Sequence, residues 1–529
     1  MKKTEINVIA EITTVYIPEK TFPDGEPVIA EMAIAFENGP IGTVQLPPNK
    51  IKVREIRKQE PRLPANTPET FADELRAQLS EGLASGRIRK GLYLKKSGCH
   101  QLPDGGLVYT FGPKLLGTCK YPYLLENDTG VVPRTLDVQP GAMERLGRSL
   151  LCAKPQALIA GAYTLVTHIR SWVRSTTPSW QAVLNIVGGQ GLGKTYLARI
   201  LTDWYQDEDG DCPLFLEAGG SMAAIRDEMN NARDLPLVVD DLCKSASRTT
   251  ERERKELGAK LVREGANAAP IIKKRPGGHT EKLKCAAGVI LTAEFALENA
   301  SDITRCIFVP INSPLDLPKS LTSQTVGDAV AAFLNWFPAN QAWMRDELKK
   351  QLTKEYPSEL HQRVKNNFTI LRFGFQAFLR AAMDEGMPEE ISSHLMKHFD
   401  NAAVESIDFQ QGLLRKLDAQ NKKANLPYLI IDGFYNDGFD LAKKPDKLPK
   451  HEGVIWKRDL CLRPEALERF VRMQDGYQNY TLSKISQELK DIGALVLQEE
   501  GTAQVKLRKD LPRVYRLRLD VLRSEAEEY

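Results

Sequence analysis

The sequence predicts an α/β fold built round a phosphate-loop core. A helical region follows the core, a mixed α+β region precedes it, and a winged helix closes the chain. Three observations carry this prediction. The glycine-rich segment GGQGLGKT at 188–195 follows an apolar run at 182–187 and opens a helical stretch. A second apolar run, PLVVDDL at 236–242, ends in two aspartates. The last hundred residues read helix, helix, strand, charged loop, strand.

Length and composition bound the answer. The 529 residues suffice for roughly three domains. Apolar residues make up 42% and charged residues 27%, as in ordinary folded proteins. No apolar run approaches the ~18 residues of a membrane span. The N-terminus, MKKTEINVIAEITT, is interrupted by acidic and polar residues, so no signal peptide is expected and a cytoplasmic location is. Eight cysteines occur without a C-x-x-C pair, which argues against both a zinc site and a disulfide framework. Cys99-His100 has no second pair at ligand spacing. Net charge is only +3, so any nucleic-acid surface must come from local clustering.

Five regions are expected along the chain. Residues 1–60 alternate apolar and polar side chains and read as β-rich. A polar, proline-containing stretch then leads into an α+β region at 61–136, with an amphipathic helix at 68–85 and a hairpin turn at Pro103-Asp104-Gly105-Gly106. The nucleotide-binding core spans 137–320. A helical lid covers 321–424, with separate helices expected at 329–336, 343–352, 360–383 and 389–399. A lysine-rich connector and the winged helix fill 425–529, with helices expected at 463–473 and 483–492 and strands at 495–497 and 513–517 round a turn at Glu500-Gly501.

The chemistry is clearest at the glycine-rich segment, where Gly188, Gly193, Lys194 and Thr195 fit G-x-x-x-x-G-K-[ST]. Glycines let backbone N–H groups turn inward round a polyphosphate, and the helix that follows points its positive end at the anion. Gly188, Gly189, Gln190, Gly191, Leu192, Gly193, Lys194, Thr195 and Tyr196 are the candidate nucleotide-binding residues. Lys194 is placed for the outer phosphates and Thr195 for Mg2+, so ATP and Mg2+ are the expected cofactors. A chance glycine-rich turn is the competing reading, and the strand before and helix after weigh against it.

The aspartate pair lies 46 residues beyond Lys194 (240 − 194). Asp240 is the second candidate Mg2+ ligand, and Asp241 the carboxylate that polarises an attacking water. Thr292, near the end of the apolar run at 288–294, stands where a γ-phosphate sensor would sit. Arg305 precedes another apolar run and suits an arginine finger acting across a subunit boundary. A surface ion pair is its competing role. Arg363 is a candidate second phosphate-sensing arginine, with an exposed helix position equally open.

Cations cluster twice. Lys273, Lys274 and Arg275 precede Pro276-Gly277-Gly278, and Lys506, Arg508 and Lys509 lie in the expected wing. Both clusters are candidate DNA contacts, against the ordinary reading of a solvated charged loop. Winged helices also serve as protein-docking modules, so DNA and protein remain alternatives for the last region.

These elements, in this order, resemble the MCM-like, superfamily-3-like AAA+ helicases of bacterial mobile genetic elements such as resistance cassettes and phage satellites. The likeness is carried by GGQGLGKT at 188–195, PLVVDDL at 236–242, GVILTAE at 288–294 and DITRCIFVPI at 302–311, and by the closing RPEALERFV, TLSKISQELKDIGALV and VYRLRL. GLYLKKSGCHQLPDG is similar to the domain before the ATPase in that group. The resemblance covers most of the chain past residue 90. It implies an AAA+ core with a helical lid, a hexameric ring, and ATP-driven translocation on single-stranded DNA for element replication. It also implies element-encoded replication partners and a hairpin that projects basic residues into the pore, in the interval holding Lys273, Lys274 and Arg275. Two other classes stay in view: a remodelling ATPase acting on protein partners, and a DNA-binding regulator in which ATP drives only ring assembly.

Overall fold

The computed structural model describes residues 8–37, 39–94, 97–111, 114–125, 132–133, 138–178, 180–206, 211–244, 247–267, 271–274, 280–353, 360–423, 425–474, 477, 480–498 and 502–527. The chain forms two units, Met1–Gln411 and Gly412–Tyr529.

The first unit opens with β1 (Val8–Pro18), β2 (Ile29–Phe36), β3 (Gly42–Leu46), α1 (Val53–Gln59), α2 (Thr70–Ala84) and β4 (Arg89–Leu94). Then come β5 (Gly98–Gln101), β6 (Leu107–Phe111), β7 (Lys114–Leu116), β8 (Tyr123–Leu125) and β9 (Val132–Pro133). One sheet has the order β3-β2-β1-β4-β8, and β5-β6-β7 form another. Ala30, Met32 and Ile34 of β2 are buried at every second position and cluster with Leu75 and Leu79 of α2, as expected of a sheet covered on one face. Gly105, at φ +82°, sits in the turn between β5 and β6, where the sequence places it.

Strand β1 pairs in parallel with β4, so the boundary expected at residue 60 runs through a sheet. The stretch 60–64 reads as a linker by composition, yet Leu63 is buried in this core. Arg62 makes a bidentate bond to Glu60, both contacts 2.7 Å. Composition reported polarity there, not the pairing that buries it.

The centre of the unit comprises α3 (Ala142–Leu151), α4 (Pro155–His168), α5 (Arg170–Thr176), β10 (Val183–Gly188), α6 (Lys194–Thr202), β11 (Tyr205–Gln206), β12 (Phe215–Glu217) and α7 (Met222–Asn231). Next follow β13 (Pro236–Leu242), α8 (Arg248–Ala266), β14 (Ile271–Lys274), β15 (Thr280–Leu283), β16 (Gly288–Ala293), α9 (Ala300–Ile303) and β17 (Cys306–Ile311). Strands β12-β13-β16-β10-β17 form a sheet in which every pairing is parallel. All residues of β16 and β17 are buried, because helices cover both faces; hence the unbroken apolar runs in the sequence.

A buried carboxylate joins this sheet to the preceding one. Asp234, just before β13, accepts from the amide N–H of Cys99 at 2.9 Å and of Ser171 at 2.6 Å. Its carbonyl takes the Tyr109 hydroxyl at 2.8 Å.

Three long helices complete the unit: α10 (Ser323–Leu352), α11 (Gln362–Asp384) and α12 (Glu389–Lys423), the last carrying the chain into the second unit. Helix α10 runs unbroken through Pro338, contrary to the interruption expected there. Proline removes one backbone hydrogen bond, and the buried Phe333 and Phe337 just before it anchor the helix against Trp172 and Phe378.

The second unit contains α13 (Leu426–Tyr435), β18 (Leu441–Ala442), β19 (Gly453–Trp456), β20 (Asp459–Leu462), α14 (Pro464–Arg472), α15 (Leu482–Asp491), β21 (Gln504–Lys506), β22 (Arg513–Arg518) and α16 (Leu519–Glu527). Its sheet has the order β18-β19-β20-β22-β21. The lysine-rich stretch expected to be a connector therefore supplies three strands. Lys457 and Arg458 occupy the turn of the β19–β20 hairpin, both at positive φ, a place where Asn-Gly is the usual signal. The strand expected at 495–497 is reduced to one bridge, Leu495 to Leu517. No helix among the described residues is long and apolar enough to cross a membrane.

His168 of α4 yields a prediction. It is fully buried, with Nδ1 2.6 Å from the Thr164 carbonyl and Nε2 2.5 Å from the Tyr205 hydroxyl, and burial lowers it to about 4. The folded state thus disfavours the charged ring. Its stabilisation is complete above the unfolded value near 6.5 and is lost as pH falls toward 4. Urea midpoints should drop between pH 7 and pH 5, and His168→Gln, which cannot titrate, should flatten that part of the profile.

Candidate functional site

The carboxyl ends of β10, β13 and β16 converge at the point where the sheet changes direction. From β10 the chain first moves to one edge of the sheet, then returns through β16 on one side of β10 and β17 on the other. Crevices at such switch points are where open parallel sheets bind ligands.

Strand β10 ends at Gly188, where a Cβ would lie 2.4 Å from the Ile311 carbonyl oxygen; only glycine fits. Gly191 and Gly193 take φ +74° and +93°, turning the chain into α6. The loop is braced by the Leu315 amide, 3.0 Å from the Leu192 carbonyl, a contact from the segment after β17 that sequence reasoning missed. The Lys194 ammonium lies across the loop and donates to the Gly189 carbonyl at 2.8 Å. Tyr196 is exposed at the start of α6.

Opposite this loop stands Asp240, a buried carboxylate. The Thr195 hydroxyl donates to it, 3.1 and 3.2 Å from its two oxygens, and the Thr292 hydroxyl donates from β16. The same Thr292 oxygen accepts the Asp241 amide at 3.0 Å. Thr292 thus holds the aspartate pair, a place closer to the carboxylates than a free phosphate sensor would take. The β13–β16 register shifts between Val239 and Leu242, and Asp241 has φ +68°. That irregularity re-aims two successive side chains, leaving Asp240 inward and Asp241 exposed. The Thr195 hydroxyl and Asp240 carboxylate are hard oxygen donors of the kind Mg2+ takes, so the residues fit such an ion.

Arg305 lies at the opposite end of the sheet. Its carbonyl accepts the Val183 amide at 3.0 Å, while Gly188 is level with Ile311. Six residues of strand separate the two levels, roughly 20 Å at ~3.3 Å per residue. The Arg305 guanidinium donates to the Ser301 carbonyl at 2.6 Å. Burial, then the neighbouring Arg363 charge, lowers it below the usual arginine value. Arg363 belongs to the same edge, 3.4 Å from the Thr304 hydroxyl. Neither arginine is brought to the glycine-rich loop of its own chain.

The basic segment at 271–283 is a hairpin of β14 and β15, paired antiparallel from Ile271–Leu283 to Lys274–Thr280. Lys273 is half-buried and its ammonium meets Asp227 at 2.5 Å, so that charge is already balanced. Ile272 beside it is 66% exposed. Arg275, with Pro276, Gly277 and Gly278, lies outside the described residues. In the second unit Lys506 and Lys509 are exposed, whereas Arg508 is shared between Asp446 and Asp510. Glu500-Gly501, expected as the turn between the two closing strands, lies outside the described residues. His100, with Cys99, is engaged by Glu19 at 2.6 Å and Thr110 at 3.1 Å.

Comparison with solved structures places this architecture. A structure described as "SCCmec type IV Cch - active helicase" is similar over 99% of this chain and 95% of that one, with a TM-score of 0.53 and 14% identity. The chain has a helicase fold. Slighter likenesses join it to an inhibitor-bound JCV helicase (12% identity, 41% of this chain and 65% of that one, TM-score 0.22). Another is the C-terminal region of NrS-1 (8% identity, 73% and 92%, TM-score 0.28). No family model matches the sequence, and no curated protein does.

The role of Thr292 is open to direct measurement. Thr292→Val keeps the side chain's shape but removes one of the two donors to the buried Asp240 carboxylate and leaves the Asp241 N–H without its acceptor, at a cost of about 1–3 kcal/mol. The variant should unfold at lower urea and lose most of its Mg2+-dependent nucleotide affinity. Unchanged values for both would remove Thr292 from the site.

Proposed function

We propose that this protein is an ATP-dependent DNA helicase of a mobile genetic element. It works as a hexameric AAA+ ring that moves along single-stranded DNA during element replication. The observation that carries the reading is the junction of Thr195, Asp240 and Thr292 beside the Gly188–Thr195 phosphate loop, with Arg305 held at the far end of the same sheet. A phosphate loop that neither Arg305 nor Arg363 of its own chain reaches suits an assembly in which each subunit completes its neighbour's site.

On this reading the loop amides and Lys194 bind the ATP phosphates, and helices α10 to α12 form the lid. Thr195 and Asp240 hold Mg2+, which supplies charge neutralisation at the phosphates. Exposed Asp241 orients the attacking water, and Thr292 fixes the backbone that carries Asp241. Arg305 reaches the terminal phosphate of the ATP bound next door, with Arg363 as a candidate companion. The second unit is read as a winged helix with Lys506 and Lys509 available to DNA.

An arginine finger contributes ~10³ or more in rate, so Arg305→Ala should bind nucleotide and assemble yet hydrolyse ATP poorly. Mixed with Lys194→Ala, it should regain activity at interfaces where an intact site meets an intact finger. A subunit-exchanging mixture with no recovery would count against action between subunits.

Strand displacement tests the helicase reading against protein remodelling. Replacing Lys273, Lys274 and Arg275 by alanine should spare basal hydrolysis but abolish unwinding and stimulation by single-stranded DNA. Each lost phosphate contact should lower the slope of log K against log salt by about 0.7. Wild-type unwinding by the triple variant would return the hairpin to an ordinary surface role.

A further inference from the structure

We infer that Gln410 is a positioning residue for Arg305, fixing the backbone on both sides of it from helix α12. The inference rests on the proposed finger role of Arg305. The Gln410 side chain is fully buried, and its amide donates to the Ile303 carbonyl at 2.6 Å and the Cys306 carbonyl at 3.1 Å. Those two carbonyls bracket Thr304 and Arg305. One turn earlier on the same face of α12, Ser406 donates to the Phe308 carbonyl, so the helix grips the strand that Arg305 leads.

Two further helices hold the same turn. From α8, Arg263 makes a bidentate bond to Asp302, with contacts of 2.7 and 2.8 Å, and Asp302 is fully buried. From α11, Arg363 reaches the Thr304 hydroxyl. Capping the Ile303 carbonyl that ends the short α9 is the simplest role for Gln410, but that alone would not require the second bond, to the Cys306 carbonyl at the start of β17. A long side chain spans both. Its Oε1 finds no partner among the described residues, nor does the buried Arg305 Nε. Burying such atoms opposes folding. The cost falls at a turn whose arginine is remote from its own chain's phosphate loop. The gain is orientation, because a guanidinium that must meet a phosphate on another subunit cannot correct a misplaced backbone.

The test is hydrolysis by Gln410→Leu, which preserves bulk and removes the donors. A misplacement near 1 Å costs about 10²-fold, so kcat should fall roughly 10- to 100-fold while KM for ATP and ring assembly stay near wild type. In an Arg305→Ala background the same change should add nothing, and mixing Gln410→Leu with Lys194→Ala should restore activity as it does for Arg305→Ala. A purely structural role would multiply the two losses and give no recovery in mixtures; either result overturns the inference. If Arg305→Ala is impaired but Gln410→Leu hydrolyses normally, Gln410 is excluded and the finger stands. If Arg305→Ala is itself normal, the finger reading falls first. Should Gln410→Leu not fold, Gln410→Asn, too short to span both carbonyls, is read against the same outcomes.

Discussion

The structure turns on one buried carboxylate. Asp240 sits at the carboxyl edge of a parallel sheet, where an ionised group deprived of water is tolerated only with donors on its oxygens. Thr195 of α6 and Thr292 of β16 supply them. The bonds therefore lock the helix after the glycine-rich loop, the strand bearing the aspartates and its neighbour β16 into one frame. The bulge that turns Asp240 inward also turns Asp241 outward, and the Thr292 hydroxyl serves both residues. Placement of a candidate catalytic carboxylate is thus a consequence of satisfying its buried neighbour.

What could be read from the sequence follows from how local each cause is. Gly191 and Gly193 are dictated by backbone geometry within a few residues, so they announce the loop, whereas Gly188 answers to the distant Ile311 carbonyl. Strands β10, β13, β16 and β17 are apolar throughout because both faces are covered, and they stand out as runs. The rest depends on distant partners. Nothing near Glu60 tells that Leu63 is buried, and Pro338 reads as a break unless Phe333 and Phe337 are known to be anchored. The β19–β20 hairpin hides behind lysines because its turn uses Lys457-Arg458 in place of glycine or asparagine. Gln410 and Arg263 carry no motif at all; their meaning comes from carbonyl and carboxylate groups over a hundred and nearly forty residues away in sequence.

The parallel sheet also divides the chemistry by its polarity. The carboxyl ends of the strands carry Asp240 and Asp241, with Lys194 at the start of α6 beside them, while the amino end of β17 carries Arg305, with Arg363 beside it. A packed sheet cannot be shortened, so separation along the strands is a fixed constraint and not a matter of side-chain rotamers. On the proposed reading this geometry makes assembly a requirement of catalysis, and it explains why the 301–306 turn is held more firmly than its own chain needs.

Helix α8 gives that division a physical bridge. Near its start Arg254 takes the Cys243 carbonyl at 3.2 Å, two residues beyond Asp241, and near its end Arg263 holds Asp302, three residues before Arg305. The β14–β15 hairpin follows the helix in the chain. A helix of 19 residues is a rod of roughly 28 Å at ~1.5 Å per residue. On the proposed reading, this rod ties the backbone beside the candidate water-orienting carboxylate to the turn that presents the candidate finger. With a net charge of only +3 over the whole chain, a grip on DNA under that reading has to come from local clusters of cations, not from the chain's overall charge.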